Sequence, residues 1–233
     1  MTMRDLMDIH GLVQAEMRKR YELAPVALKH PFPERPLRAL GLMKIDGEVF
    51  SAERLLRVVF IRPQLPFYFA VRSHFIRPRV EYDLPVFAGE VMRTGKKKML
   101  IVDIHRTGKT HHDDNNLFYR MLAIRNRYPD LMDHEKKQKG QVQDVFSPAA
   151  CQVVIPPELD EQAADIYIEY LNLFCDLVDV AEAKSGDELR STQTVFQQYL
   201  KTLVDHDPGV KIWQVLFGKK GGIERSFDMH FGL

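Results

Sequence analysis

Six stretches of the chain, 41–50, 54–62, 67–77, 86–93, 98–105 and 150–155, are rich in Val, Ile, Phe and Leu and bounded by Pro or Gly-Lys turns, the pattern of β-strands. Most are joined by short connections, which suit hairpins rather than helical crossovers, so a largely antiparallel sheet is predicted. The run 98–104, Lys-Met-Leu-Ile-Val-Asp-Ile, is apolar on both faces and needs cover on both. Helical spacing supplies that cover. Residues 3–21 put Leu6, Ile9, Val13 and Met17 on one face ahead of the Pro-rich stretch 25–36. Leu159, Ala163, Ile166, Tyr170, Phe174, Val178 and Ala181 form a stripe over 158–182, and Leu189, Thr192, Val195, Tyr199 and Leu203 form one over 189–204. Shorter helices fit 208–217 and 222–231. The polar stretch 106–148, with a helical run at Leu117, Met121 and Ile124, reads as an excursion outside the sheet. Together these elements predict the α/β class, a three-layer α/β/α sandwich around a central, largely antiparallel sheet.

Composition narrows the picture. With 233 residues, 45% of them hydrophobic, and no linker or repeat, residues 1–233 read as a single domain. Lys plus Arg number 33 against 32 for Asp plus Glu, a balance that gives no chain-wide reason to expect nucleic acid or a membrane surface as partner. The opening Met-Thr-Met-Arg-Asp has no apolar segment and no window holds eighteen apolar residues, so a cytoplasmic location is expected. Cys151 and Cys175 share no metal-ligand or redox spacing, which excludes a protein-ligated cluster and a disulfide framework. No nucleotide-binding Gly loop, G-x-S-x-G elbow or H-E-x-x-H is present, and Gly218-Lys219-Lys220-Gly221-Gly222 lacks the P-loop spacing. His111-His112-Asp113-Asp114 is read as a solvated loop, and no metal site is expected.

Three residues stand out chemically. Strand alternation puts Val86, Ala88, Glu90 and Met92 on one face, planting a carboxyl in an apolar row. Glu90 is then either an edge or ion-paired residue, or an acid kept protonated by an apolar pocket and available as a proton donor. Asp207, before Pro208, has the pattern of a helix N-cap. His74 is a lone histidine in a strand, a position that a structural residue fills equally well.

The run Tyr82-Asp83-Leu84-Pro85-Val86-Phe87-Ala88-Gly89-Glu90 resembles the Tyr-Asp-Leu-Pro-x-Phe-Gly-x-Asp signature of the ferredoxin-dependent bilin reductases, in particular of their phycocyanobilin-forming members. Asp207-Pro208, Leu216-Phe217-Gly218, Glu224-Arg225-Ser226-Phe227 and the closing His230-Phe231-Gly232-Leu233 resemble the family's C-terminal pattern. Phe146-Ser147 through Val154-Ile155-Pro156 is similar to the strand leading into its long helix. The resemblance implies an enzyme without a bound cofactor that holds biliverdin IXα between sheet and C-terminal helices. Reduced ferredoxin is then the external electron donor, the reaction runs through bilin radicals, and the product is a phytobilin of phycocyanobilin or phycoerythrobilin type. A monomer is expected.

Carried over residue by residue, Glu90 falls on the family's proton-donating Asp, one methylene longer, and Asp207 on the helix-junction Asp that faces the bilin. Counting back without a gap from Pro78 puts Ser73 on the family's histidine, so His74 reaches the substrate only if a bulge restores its direction. The strand Arg57-Val58-Val59-Phe60-Ile61-Arg62 lacks the Glu with which phycocyanobilin-forming members reduce a vinyl group. Residues 54–98 hold ten basic side chains against three acids. They form either a solvated basic rim, or a set in which some, with Arg62, Arg72, Arg77 and Arg79 as candidates, clamp the bilin propionates and others make a docking face for an acidic ferredoxin. Two other readings stay open: a bilin-binding protein of this fold with little or no turnover, and a reductase of another open-chain tetrapyrrole, as in red chlorophyll catabolite reductase.

Overall fold

The computed structural model describes residues 5–36, 39–105, 107, 115–136 and 146–233. Within them a seven-stranded sheet runs in chain order, every neighbouring pair antiparallel: β1 (Ala24–Pro25), β2 (Lys44–Ser51), β3 (Leu55–Leu65), β4 (Phe69–Pro78), β5 (Val86–Thr94), β6 (Lys97–His105) and β7 (Cys151–Ile155). Each of the six expected strands is present, and β1 adds a short edge. The helices are α1 (Ile9–Arg20), α2 (Asn115–Arg125), α3 (Pro129–Met132), α4 (Asp160–Val180), α5 (Gly186–His206), α6 (Pro208–Phe217) and α7 (Lys219–Phe231). The predicted helix 3–21 begins instead as a 3-10 turn at Leu6–Asp8, capped by the Asp5 carboxylate on the Met7 N–H. His111 to Asp114 lie outside the described residues.

Strand alternation sorts side chains into two layers. Val58, Phe60, Ala70, Ile76, Phe87, Val91, Leu100, Val102 and Ile104 point to the side covered by α1 and α4, where Ile166, Tyr167, Tyr170, Phe174 and Val178 fill the largest core. Val59 and Ile61 point to the other side, against Trp213, Leu216 and Met229 of α6 and α7, and Val86 packs there with Phe196, Tyr199 and Leu203 of α5. The three-layer sandwich is therefore as predicted. Burial pushes both free thiols, Cys151 in β7 and Cys175 in α4, up to about 12, which leaves them inert packing groups.

The C-terminal layer is held by two arginines and one glycine. Arg77 donates to the Phe231 carbonyl at the end of α7 and lies 4.4 Å over the Phe196 ring, while Arg57 Nε donates to the Asp228 carbonyl at 3.3 Å. Both cations thus sit at the C-terminal end of the helix, where its dipole is negative. The Asp228 carboxylate in turn accepts the His30 N–H at 2.7 Å, tying the chain before β2 to the same helix. At the α6–α7 corner a side chain on Gly222 would fall 2.4 Å from the Trp213 carbonyl oxygen and 2.5 Å from the Gln214 nitrogen, both backbone atoms that cannot rotate away. Gly222→Ala is expected to lower stability by about 2 kcal/mol, roughly 4–8 °C in Tm for a chain of this size. Thermal unfolding checks it; an unchanged midpoint shows that the two helices do not need this close approach.

Candidate active site

Between the sheet and the C-terminal layer the packing leaves a cavity of about 240 Å³. Its walls are mostly apolar: Ile61 and Pro63 of β3, Phe69, Val71 and Phe75 of β4, Ala88 and Met92 of β5, and Val210, Trp213 and Leu216 of α6. The polar residues on its wall are few: Ser73, His74, Glu90, His105, Asp207, Ser226 and His230. That composition suits a largely hydrophobic ligand with a small number of N–H and C=O groups.

Glu90 stands in the middle of the sheet wall. The register pairs it with Ser73 across β4 and β5, on the same face, and Ser73 Oγ donates to Glu90 Oε1 at 3.0 Å. Burial among apolar side chains, and next the charge of Asp207, push the Glu90 carboxyl up to about 7, against the opposing pull of the Ser73 hydroxyl. Of the two readings open in the sequence, the edge or ion-paired residue is not what is seen: Glu90 lies between β4 and β6, on the cavity wall, with no ion pair among the described residues.

Asp207 comes from the opposite layer. It ends α5 and caps α6, its Oδ1 accepting the Gly209 N–H at 2.6 Å, so the N-cap expectation holds. It also lines the cavity. Burial raises its pKa, while the Gly209 and Val210 N–H groups and Lys211 work in the other direction. Two carboxyl groups from different layers therefore face one apolar space with environments that separate their behaviour.

His74 borders the cavity, but its imidazole turns to the opposite layer. Its register with Gly89 is uninterrupted, with no bulge to turn it, and the ring lies in the α1 and α4 layer. There Nδ1 is 2.6 Å from the Tyr167 hydroxyl and Nε2 is 3.1 Å from His10 Nδ1. Burial, then the charges of His10 and Arg72, hold it well below the usual histidine range. Strand parity gives the site Ser73 in its place.

The arginines assigned to the substrate are also elsewhere, and among the described residues no arginine or lysine lines the cavity. Arg62 and Arg72 point to the α1 side, where Arg62 pairs with Asp46 and Arg72 donates to the Met7 carbonyl at 3.2 Å. Arg77 is spent on Phe231, and Arg79 donates to the Glu53 carbonyl at 2.8 Å. Of the ten basic side chains in 54–98, Arg54 and Arg57 also donate to carbonyls and Lys98 pairs with Asp5 and Asp160, which leaves Arg93, Lys96 and Lys97 with neither a side-chain hydrogen bond nor an ion pair among the described residues. They sit at the β5–β6 hairpin, which hydrogen-bonds the β3–β4 hairpin through Gly95 N–H and the Tyr68 carbonyl at 2.7 Å. The β3–β4 tip carries Phe67, fully exposed, and Tyr68.

Two cavity residues escaped the sequence reading, His105 and His230. His105 ends β6 in the same parity as Ile101, and its Nδ1 lies 2.8 Å from the Tyr199 hydroxyl. His230 follows Ser226 by one helical turn. Parity alone marked His105, but nothing local marked His230.

The sheet is one antiparallel meander, closed by C-terminal helices over an apolar cavity with Glu90 and Asp207 on its walls. The family profile of ferredoxin-dependent bilin reductases matches residues 10–222, and the chain belongs to that family. It is 22% identical to phycoerythrobilin:ferredoxin oxidoreductase from Prochlorococcus marinus (strain MIT 9312) over 159 residues, 65% of this chain and 63% of that protein, so the match spans less than two thirds of the relative's length. Its fold is similar to that of phytochromobilin synthase from tomato, solved in complex with biliverdin, with a TM-score of 0.79 at 16% identity over 97% of this chain and 81% of the other. Among the described residues no helix is long and apolar enough to cross a membrane, and no cluster of three metal-ligating side chains occurs.

The raised Glu90 pKa has a thermodynamic signature. The unfolded chain holds the group near 4.5, so between about 4.5 and 7 the folded state binds one more proton, and this contribution to stability is lost as pH rises through that window. Glu90→Gln removes the titration. Relative to wild type, the variant is expected to gain about 1–2 kcal/mol between pH 5 and pH 8 in urea unfolding. A pH-independent difference places the Glu90 pKa at its ordinary value.

Proposed function

We propose that this protein reduces biliverdin IXα with reduced ferredoxin as electron donor, binding the open-chain tetrapyrrole in the cavity between the sheet and α5–α7. The observation that carries the reading is Glu90: a carboxyl held protonated near neutrality on an apolar wall, facing Asp207. Family membership and the biliverdin complex of the tomato relative support it.

The chemistry assigned to the chain is proton supply and positioning. Each two-electron reduction of the bilin takes two electrons from two reduced ferredoxins and two protons through the protein. The conjugated tetrapyrrole stores the first electron as a radical, so no bound redox group is required of the chain. Glu90 transfers its proton to the reduced bilin and is reprotonated through the open side of the cavity. Asp207, at the start of α6, accepts pyrrole N–H groups and steadies the charge that develops as protons move. The β3 face at the cavity offers Ile61 and Pro63 and no acid, which favours a phycoerythrobilin-type product over one that needs vinyl reduction. The donor docks over the two joined hairpins, with Phe67 and Tyr68 as apolar contact and Arg93, Lys96 and Lys97 as counter-charges to an acidic partner.

Two experiments test this. Under anaerobic conditions with biliverdin and reduced ferredoxin, wild type is expected to form a phytobilin, whereas Glu90→Gln binds biliverdin, accumulates a bilin radical visible by EPR, and forms product roughly 100-fold more slowly. Wild-type rates in the variant remove Glu90 from the mechanism; binding without any product in wild type shows a bilin carrier instead. For docking, raising salt from about 0.05 to 0.3 M is expected to raise the KM for ferredoxin clearly, and the Lys96→Glu, Lys97→Glu double variant to raise it roughly tenfold at low salt. A salt-insensitive KM, or an unaltered one in the double variant, moves the docking face elsewhere.

A further inference from the structure

His230 has only one tautomer open to it. Its Nδ1 lies 2.9 Å from the Ser226 carbonyl oxygen one turn earlier in α7, and a carbonyl can only accept, so Nδ1 carries the proton. The Ser226 hydroxyl, 3.4 Å away, leaves this assignment in place. Burial holds the imidazole down to about 4, so near neutrality the ring is uncharged and Nε2 presents a lone pair. The ring is fixed edge-on against Phe75, centroids 5.0 Å apart, and the residue lines the cavity that also holds Glu90 and Asp207. No group among the described residues hydrogen-bonds Nε2.

The other polar groups of the cavity divide into donors and acceptors. Protonated Glu90 has an O–H to give, Asp207 Oδ1 holds the Gly209 N–H and leaves Oδ2 for the pyrrole N–H groups assigned to it above, and His105, its Nδ1 at Tyr199, keeps a buried Nε2 without a partner among the described residues. An open-chain tetrapyrrole presents several pyrrole and lactam N–H donors in one plane, and each one buried without an acceptor weakens binding. We infer that His230 Nε2 accepts a hydrogen bond from a ring N–H of the bound tetrapyrrole, making His230 a substrate-contacting residue that fixes the ligand to the last helix. This rests on the tetrapyrrole reading of the cavity above.

Nitrogen NMR of wild-type protein with labelled histidine tests it directly. Free protein is expected to show His230 as the Nδ1–H tautomer, and saturating biliverdin to shift the Nε2 signal in the direction of an accepted hydrogen bond while Nδ1 stays put. Titrations followed by bilin absorbance add a second readout. His230→Leu is expected to weaken biliverdin binding roughly five- to tenfold, while His230→Gln, whose side-chain oxygen reaches the Nε2 position, stays within about twofold of wild type. Circular dichroism confirms that both variants fold. An Nε2 signal unmoved by bound biliverdin overturns the inference and leaves the proposed function standing. Wild-type protein that fails to bind biliverdin at all overturns both.

Discussion

Pairing of Ser73 with Glu90 and of His74 with Gly89 across β4 and β5 assigns each polar side chain in the middle of the sheet to one of two layers. The pairing has a steric lock. Tyr167 of α4 packs its hydroxyl over Gly89, where a Cβ would fall 2.1 Å from the oxygen, and the same hydroxyl is bonded to His74. A slip of one residue would bring Glu90 under Tyr167 and turn Gly89 to the cavity, so the helix layer on one face holds the acid in place on the other. The site on the cavity side is thus built partly by a helix that never touches it.

The C-terminal layer depends on a different device. A buried guanidinium is costly unless its donors are satisfied, and Arg77 is 6% exposed without a carboxylate partner in contact. It is stabilised by the Phe231 carbonyl at the end of α7 and by the faces of Phe196 and Phe231, while its buried Nε has no hydrogen-bond partner among the described residues. Burial, then the nearby charge of Arg57, lowers its pKa to about 10, so it stays cationic at neutral pH. Together with Arg57 it fastens the end of α7 to β3 and β4, and through Gly222 the close-packed α6 follows, carrying Val210, Trp213 and Leu216 as the cavity roof.

With the cations turned elsewhere, the cavity is electrically quiet. Burial holds His105 and His230 down to about 4 and Glu90 up to about 7, so near neutrality the wall offers neutral imidazoles and a carboxyl at the edge of ionisation. Desolvation, the term that makes the site expensive to fold, is the one that tunes its acid.

The sequence by itself determined the elements and their faces. Hydrophobic runs marked six strands, helical stripes marked the covering layers, alternation put Glu90 beside Val86, Ala88 and Met92, and Asp207-Pro208 announced a helix start. These are local signals with a period of two or 3.6 residues, and local periodicity survives folding when each element has one buried face. Tertiary structure decided which face would keep a gap, and therefore that Ser73 rather than His74 looks into it. It decided that Arg62 and Arg72, on the parity of His74, serve the α1 side, and that Arg77, on the parity of Ser73, clamps a helix. It also brought His230, remote in the chain from every strand, to the wall of the cavity that holds Glu90. Such assignments depend on where helices that are distant in sequence come to pack, and no periodicity within a single element records that.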